Sequence, residues 1–117
     1  MDERRFSGDE ISAMTGLDDW RPILQSLQAR FLTKRFEVGL AMVDRIGAAA
    51  EEMNHHPDLD LRYPHLNVRL MSHDVHGRTQ RDVDLARKIS AIAAELGVSA
   101  DPSVVSRVEI ADRKSVV

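Results

Sequence analysis

The chain has 117 residues, with 16 lysine or arginine against 19 aspartate or glutamate, and a formal net charge of −3. This length suits a single domain, and the interleaved charges offer no basic face for nucleic acid or an anionic membrane. The lack of cysteine excludes disulfides and thiolate chemistry, and the apolar runs are too short to span a bilayer. We therefore expect a cytoplasmic protein whose partner is a small molecule or another protein.

The first two segments of the chain carry weaker structural signals than those that follow. Ser7 and Glu10 have the spacing of a capping box and Gly16 is a typical stop, which predicts a short helix at about 8–15. Segment 18–35 is ambiguous, because its apolar residues fit both a helical stripe and the alternation of a strand. Periodicity alone leaves both interpretations open.

An amphipathic helix is predicted over 35–53, just before two adjacent histidines. Its apolar residues recur every three or four positions: Phe36, Leu40, Val43, Ile46, Ala50 and Met53. Neighbouring side chains on a regular helix or strand diverge, so His55 and His56 can serve one small site only where the backbone turns. Because Pro57 disfavours helical geometry at His56 and cannot continue a helix, we expect it to supply that turn.

The second half of the chain predicts strands followed by a helix. Residues 59–63 and 66–73 alternate apolar and polar side chains, as one kinked strand or two short ones. After a turn at Gly77, Thr79 and Asp82 stand as N-cap and N3 of a second amphipathic helix. The buried stripe of that helix and its stop are Leu85, Ile89, Ile92, Leu96 and Gly97.

All five histidines lie between positions 55 and 76, and the predicted elements can bring three of them together. His55 and His56 lie at a helix exit and His73 at a strand end. Histidine is the side chain best suited to give and take protons near neutral pH. Glu51, one helical turn before His55, and Asp82, at the start of the next helix, could each orient an imidazole.

Simpler explanations exist for several of these residues. Adjacent histidines after a helix are often only a polar exit, and Asp82 is fully explained as the carboxylate of a capping box. A zinc site is a further alternative, with ligands drawn from His55, His56, His73, Asp74 and His76. We expect no metal, because ligands at adjacent positions are geometrically awkward and no H-E-x-x-H helix is present.

Taken together, the motifs resemble those of pterin-4a-carbinolamine dehydratases over about 20–96. The pattern is E-x-x-x-H-H-P, a histidine sixteen residues after the proline, G-x-T-x-x-D, and L-A-x-x-I. Its members here are Glu51, His55, His56, Pro57, His73, Gly77, Thr79, Asp82, Leu85, Ala86 and Ile89. The combined spacing is specific, whereas H-H-P alone would be weak.

The resemblance implies an α+β fold in which a four-stranded antiparallel sheet carries helices packed on one face. The domain would occupy 1–97, with 98–117 as a C-terminal extension that could hold a short strand at 104–110. The resemblance also favours two strands in the ambiguous segment, joined near 25–28. Assembly as a homodimer or homotetramer is implied as well.

The implied reaction is removal of water from 4a-hydroxytetrahydropterin to give quinonoid dihydropterin, without metal or cofactor. The implied catalytic residues are His55, His56 and His73, with Glu51 and Asp82. The implied substrate contacts come from both helix-exit histidines together with Asn54, Met71, Ser72, His73 and Asp74. Some proteins of this fold act instead as non-catalytic protein-binding or assembly factors, which is the alternative function.

This sequence departs from the usual pattern of the family at three positions. Leu59 replaces a usual aromatic residue two positions after Pro57, so ring stacking there is lost or supplied elsewhere. Arg78 replaces a usual leucine, and His76 stands where a small residue is common. We expect these two changes to alter the rim of the substrate pocket.

Overall fold

Helices and short strands alternate along residues 4–105, the part of the chain that the computed structural model describes. The elements are α1 (Gly8–Ser12), β1 (Arg21–Ile23), β2 (Ser26–Leu32), α2 (Phe36–Met53), β3 (Asp58–Leu61), β4 (Leu66–Leu70), α3 (Gln80–Glu95), β5 (Ser99–Ala100) and α4 (Pro102–Val105). Both amphipathic helices are confirmed, and α1 is shorter than its predicted span. No helix within this part of the chain is both long and apolar enough to cross a membrane.

The sheet has the order β1-β2-β4-β3 with antiparallel neighbours, so the predicted four-stranded antiparallel arrangement is confirmed. A fifth strand, β5, pairs with the C-terminal end of β2. It lies on the same side of β2 as β1, which pairs with the N-terminal end of that strand. This two-residue strand lies within the predicted extension at 98–117. Of the strand suggested at 104–110, the first two residues belong to α4, and 106–110 lie outside the described residues.

The ambiguous segment forms two strands, but the turn between them is tighter than expected. Leu24 adopts φ 54°, and Ser26 already pairs with Ile23 in the ladder. The turn therefore centres on residues 24 and 25, rather than on 25–28. The later alternating segment also resolves into two strands, β3 and β4, which are separated by the turn at 62–65.

One face of the sheet is buried beneath the two long helices. Leu27, Ala29 and Phe31 of β2 and Leu66, Val68 and Leu70 of β4 are buried together with the apolar stripes of α2 and α3. The opposite face is half-exposed and polar, with Arg30 donating to Asn67 across the sheet. The alternation of side chains along each strand thus places the helices on one face, as predicted.

Local capping signals fix where the helices begin and end. Ser7 caps α1 and Thr79 caps α3, and both capping boxes are complete, as predicted. Helix α3 ends before Gly97, which has φ 71° and whose amide donates to the carbonyl of Ala94. These ends matter for the site, because the start of α3 and the exit of α2 meet around one carboxylate.

Candidate active site

The exit of α2 is a left-handed cap at Asn54, which has φ 53° and ψ 44°. The Asn54 amide donates to the Glu51 carbonyl at 3.2 Å, and the His55 amide donates to the Ala50 carbonyl at 3.0 Å. This hydrogen-bond pair is a Schellman motif. The chain therefore turns at Asn54, and our expectation that Pro57 supplies the turn is wrong.

The two adjacent imidazoles face different surroundings and different carboxylates. The buried His55 places Nε2 2.6 Å from Oδ1 of Asp82. The exposed His56 places Nε2 2.7 Å from Oε2 of Glu51. The predicted Glu51–His55 pairing is wrong, because the left-handed residue at Asn54 rotates the chain before His55 can complete the helical turn.

Asp82 is fully buried and uses both oxygens. Oδ1 faces His55, while Oδ2 accepts hydrogen bonds from the Ser72 hydroxyl at 2.8 Å and the Thr79 amide at 2.9 Å. The Ser72 and Thr79 hydroxyls are themselves 2.8 Å apart. The N-terminus of α3 adds a favourable dipole for the negative charge. One carboxylate thus caps a helix and fixes an imidazole.

His73 lies in a tight turn just after β4 rather than on the strand end itself. Ser72 and Gly77 close this turn through reciprocal backbone bonds of 2.9 and 3.3 Å. His73 is exposed, and its neighbour Ser72 is the residue that bonds Asp82. The turn carrying His73 is thereby tied to the carboxylate that holds His55.

Other residues of this turn have partners on α3. The carboxylate of Asp74 accepts two bonds from Arg81, at 2.9 and 3.2 Å. The hydrogen bond from Arg81 lowers the pKa of Asp74 below its ordinary value. Met71 is half-buried between β4 and the turn, while Asn54 is exposed at the other side of the site.

A surface cleft of about 580 Å³ lies between α2 and β3, beside the exposed imidazole. Glu51, His56, Pro57 and Leu59 line it, together with Asp44 and with apolar and small residues of α2. Leu59, at the position where the family resemblance led us to expect an aromatic residue, therefore faces the space next to His56. A somewhat larger depression of about 640 Å³ between α2 and α3 shares Glu51 but contains no histidine.

Arg78 occupies a different place from the pocket rim that we expected. Its side chain is buried, and its guanidinium donates to the backbone carbonyls of Phe6, Leu24 and Ser26. Burial lowers the pKa of Arg78, and the negative charge of Asp82 partly offsets this shift. His76 is exposed in the turn with φ 53°.

Two residues of this network have contacts that our reading of the sequence did not predict. We named Thr79 only as a helix cap and Ser72 only as an implied substrate contact, whereas the two hydroxyls bond each other and Ser72 also bonds Asp82. The alternation along β4 was a usable signal for Ser72, because it continues the buried register of Val68 and Leu70. No group of three histidine, aspartate or glutamate side chains among residues 4–105 is arranged to hold a metal ion.

Comparison with known proteins gives a consistent result. The family described as pterin 4 alpha carbinolamine dehydratase matches residues 4–92. A Thermosynechococcus vestitus protein, provisionally named as a pterin-4-alpha-carbinolamine dehydratase, is 38% identical over 93 residues, which are 80% of this chain and 98% of that protein. A Nocardia farcinica protein with the same provisional name is 36% identical over 75% of this chain and 94% of its own length.

A solved structure from Brucella melitensis, described as a transcriptional coactivator/pterin dehydratase, is also similar. It has a TM-score of 0.71 and 29% sequence identity, and the match covers 77% of this chain and 99% of that one. The sheet order, the helices on one face and this likeness define an α+β protein with the pterin dehydratase fold. The chain belongs to the pterin 4 alpha carbinolamine dehydratase family.

Proposed function

We propose that this protein removes water from 4a-hydroxytetrahydropterin to give quinonoid dihydropterin, with histidine side chains transferring the protons and no resident metal or cofactor. The observation that carries the proposal is the 2.6 Å contact between His55 and the buried Asp82, in a chain of this family. A carboxylate held from two sides fixes the ring orientation of its imidazole partner, which a proton-transfer group requires.

The reaction needs one proton donor and one proton acceptor. The bond between carbon 4a and the hydroxyl oxygen breaks, and that oxygen takes a proton and leaves as water. The adjacent ring nitrogen loses a proton, and the freed electron pair forms the carbon–nitrogen double bond. Because one proton is given and one is taken, the side chains are restored by exchanging a proton with each other or with water.

The three histidines would share these proton transfers. Asp82 holds His55 in one orientation, and Glu51 bonds the exposed ring of His56 at the cleft. His73 would reach the substrate from the turn beyond β4. We further propose that Asn54 and the segment 71–74 contact the polar edge of the pterin ring.

A direct assay tests this function. Stopped-flow absorbance would follow dehydration of freshly generated 4a-hydroxytetrahydropterin, with and without protein. We expect His55→Ala, His56→Ala and His73→Ala each to lower kcat by about 10²–10⁴-fold, the usual effect of removing a general acid or base. The spontaneous reaction sets a floor on the observable loss.

His65→Ala is the control, because His65 lies in the turn between β3 and β4, away from the two carboxylates of the site, Glu51 and Asp82. It should keep wild-type activity. A folded wild-type protein that gives no acceleration over the spontaneous reaction would end the proposal. Full activity in all three site variants would remove the histidines from the mechanism.

A second candidate function is that of a non-catalytic protein-binding or assembly factor. The similar Brucella melitensis protein is described as a coactivator as well as a dehydratase, which favours keeping this candidate. The same assay separates the two, because a binding factor would be folded yet inactive towards the carbinolamine. In either role we propose a homodimer or homotetramer in the cytoplasm, where reducing conditions preserve tetrahydropterins.

A further inference from the structure

Arg78 connects three separate parts of the chain at the base of the candidate site. Its Nη1 donates to the carbonyls of Leu24 at 2.6 Å and Ser26 at 3.1 Å, and its Nε donates to the carbonyl of Phe6 at 3.2 Å. The Phe6 amide returns a bond of 2.7 Å to the Arg78 carbonyl. The N-terminal segment and the β1–β2 turn are thus both fastened to the residue that precedes Thr79.

Two opposite charges are therefore buried near each other without a direct ion pair. Arg78 is 8% exposed, and within residues 4–105 all its acceptors are backbone carbonyls. Asp82 is 0% exposed, and its described partners are an imidazole, a hydroxyl and an amide. An uncompensated buried charge is strongly unfavourable, so each ion gains from the other through space.

We propose that Arg78 is a positioning residue for the dehydration reaction. Its three carbonyl bonds hold the start of α3 in place, and with it the Asp82 carboxylate that orients His55. This inference rests on the proposed function, and it assigns a role to a residue that touches neither the substrate cleft nor an imidazole.

The charged groups around Asp82 come from each element that packs against it. His55 approaches from the exit of α2, and Arg78 from the segment before α3. Arg81, on the first turn of α3, is engaged at the surface with Asp74. Ser72 and Thr79 contribute neutral donors. Arg78 is therefore the permanent positive charge that acts on this carboxylate from inside the fold.

The test compares Arg78→Met, Arg78→Lys and a matched control, Arg87→Leu. Methionine removes every hydrogen-bond donor of the guanidinium at similar length, whereas lysine keeps the charge and can still donate to a carbonyl but loses the planar fork. Arg87 also donates to a backbone carbonyl, that of Thr15, but is exposed and lies on a later turn of α3. The values of kcat and KM would be measured, and the ring nitrogens of His55 would be observed by NMR in each variant.

We expect Arg78→Met to lower kcat by about 10- to 100-fold through misorientation of the imidazole. The ring-nitrogen signals of His55 should shift in the same variant, because the carboxylate that faces them moves. Arg78→Lys, which can still donate to a carbonyl, should keep most of kcat and the wild-type ring signals, and Arg87→Leu should match wild type. A loss of stability alone would not change the ring signals of the folded protein.

Several outcomes would overturn the inference. One is a wild-type kcat with wild-type His55 ring signals in Arg78→Met, and another is an equal loss of kcat in the Lys and Met variants without any shift of the ring signals. If Arg78→Met does not fold, Arg78→Gln takes its place, because the shorter amide cannot keep all three carbonyl bonds; unchanged kcat and ring signals in that variant overturn the inference. If wild type itself is inactive, the proposed function fails, and the NMR result still decides here: unchanged His55 ring signals in the charge-lacking variant contradict the role of Arg78.

Discussion

Asp82 shows how one buried side chain can have two roles. Its Oδ2 closes the capping box with the Thr79 amide, while its Oδ1 faces His55. The capping explanation and the catalytic one are therefore compatible, because they use different oxygens. Substituting this residue should affect stability and activity together, whereas substituting its neighbours should separate the two effects.

Asp82→Asn tests this double role at nearly constant shape. The amide still accepts a hydrogen bond at one position, but the charge is lost and His55 no longer faces a carboxylate. We expect the free energy of unfolding to fall by about 2 kcal/mol, since the amide cannot accept every hydrogen bond that the buried carboxylate accepts. Chemical denaturation and the dehydration assay should both register the change.

Thr79→Ala is the comparison for Asp82→Asn. It removes the capping hydroxyl at a cost of about 1 kcal/mol but leaves the carboxylate beside His55. Its activity loss should therefore be clearly smaller than that of Asp82→Asn. Equal activity in Asp82→Asn and wild type would reduce Asp82 to a helix cap.

The exit of α2 explains why we paired Glu51 with the wrong histidine from the sequence. Glu51 and His55 are four positions apart, which is a contact distance only if the helix continues. The left-handed cap at Asn54 stops it, so Glu51 meets His56 instead. Both capping boxes were predictable because three-residue spacing determines them. Asn54 directly follows the last apolar residue of α2, which is a weaker stop signal that our reading passed over in favour of Pro57.

Asn54 should tolerate glycine better than alanine. Its φ of 53° is strained for alanine, at a cost of about 1 kcal/mol, but is open to glycine. We expect thermal unfolding of Asn54→Gly to stay near wild type and that of Asn54→Ala to fall. Equal stability of the two variants would contradict the strain argument.

The glycine variant also tests the proposed substrate contact of Asn54. Asn54→Gly keeps the turn but removes the side-chain amide, so a rise in KM at unchanged stability would assign the side chain to the pterin. An unchanged KM would leave Asn54 with its backbone role alone.

Over the whole chain, the long helices and the central strands were more predictable than the short strands at the sides of the sheet. The apolar stripes of α2 and α3 and the alternation of β4 are local patterns that recur over many residues, and they placed the helices on one face. Strands of two or three residues, such as β5 and β1, have no such pattern, because their neighbours in the sheet define them. Contacts between segments that are distant in the sequence, such as that of Arg78 with Phe6, could not be predicted either, because no local pattern marks them.

The sheet leaves a specific set of backbone groups at its β3 edge. Arg62 and His65 exchange backbone hydrogen bonds of 2.9 and 3.3 Å, so they form a hydrogen-bonded pair at the end of the β3–β4 ladder. Bonded and non-bonded pairs alternate along an antiparallel ladder. In the observed register, Leu59 and Leu61 therefore direct their amides away from β4, towards an edge that no other strand of residues 4–105 covers.

We expect this edge to be covered by a second copy of the chain, because an unpaired strand edge in so small a sheet favours association. Light scattering should then give a multiple of the 13.1 kDa chain mass. On dilution to the monomer, hydrogen exchange at the Leu59 and Leu61 amides should accelerate, while that of the Val68 amide should change little.

Leu40→Glu serves as the control for a rival surface, since Leu40 on α2 is 50% exposed and its substitution should leave the mass unchanged. A monomeric mass at micromolar concentration would refute assembly altogether, and an oligomer that dissociates in Leu40→Glu, with both β3 amides still exchanging freely, would move the interface from the sheet edge to α2.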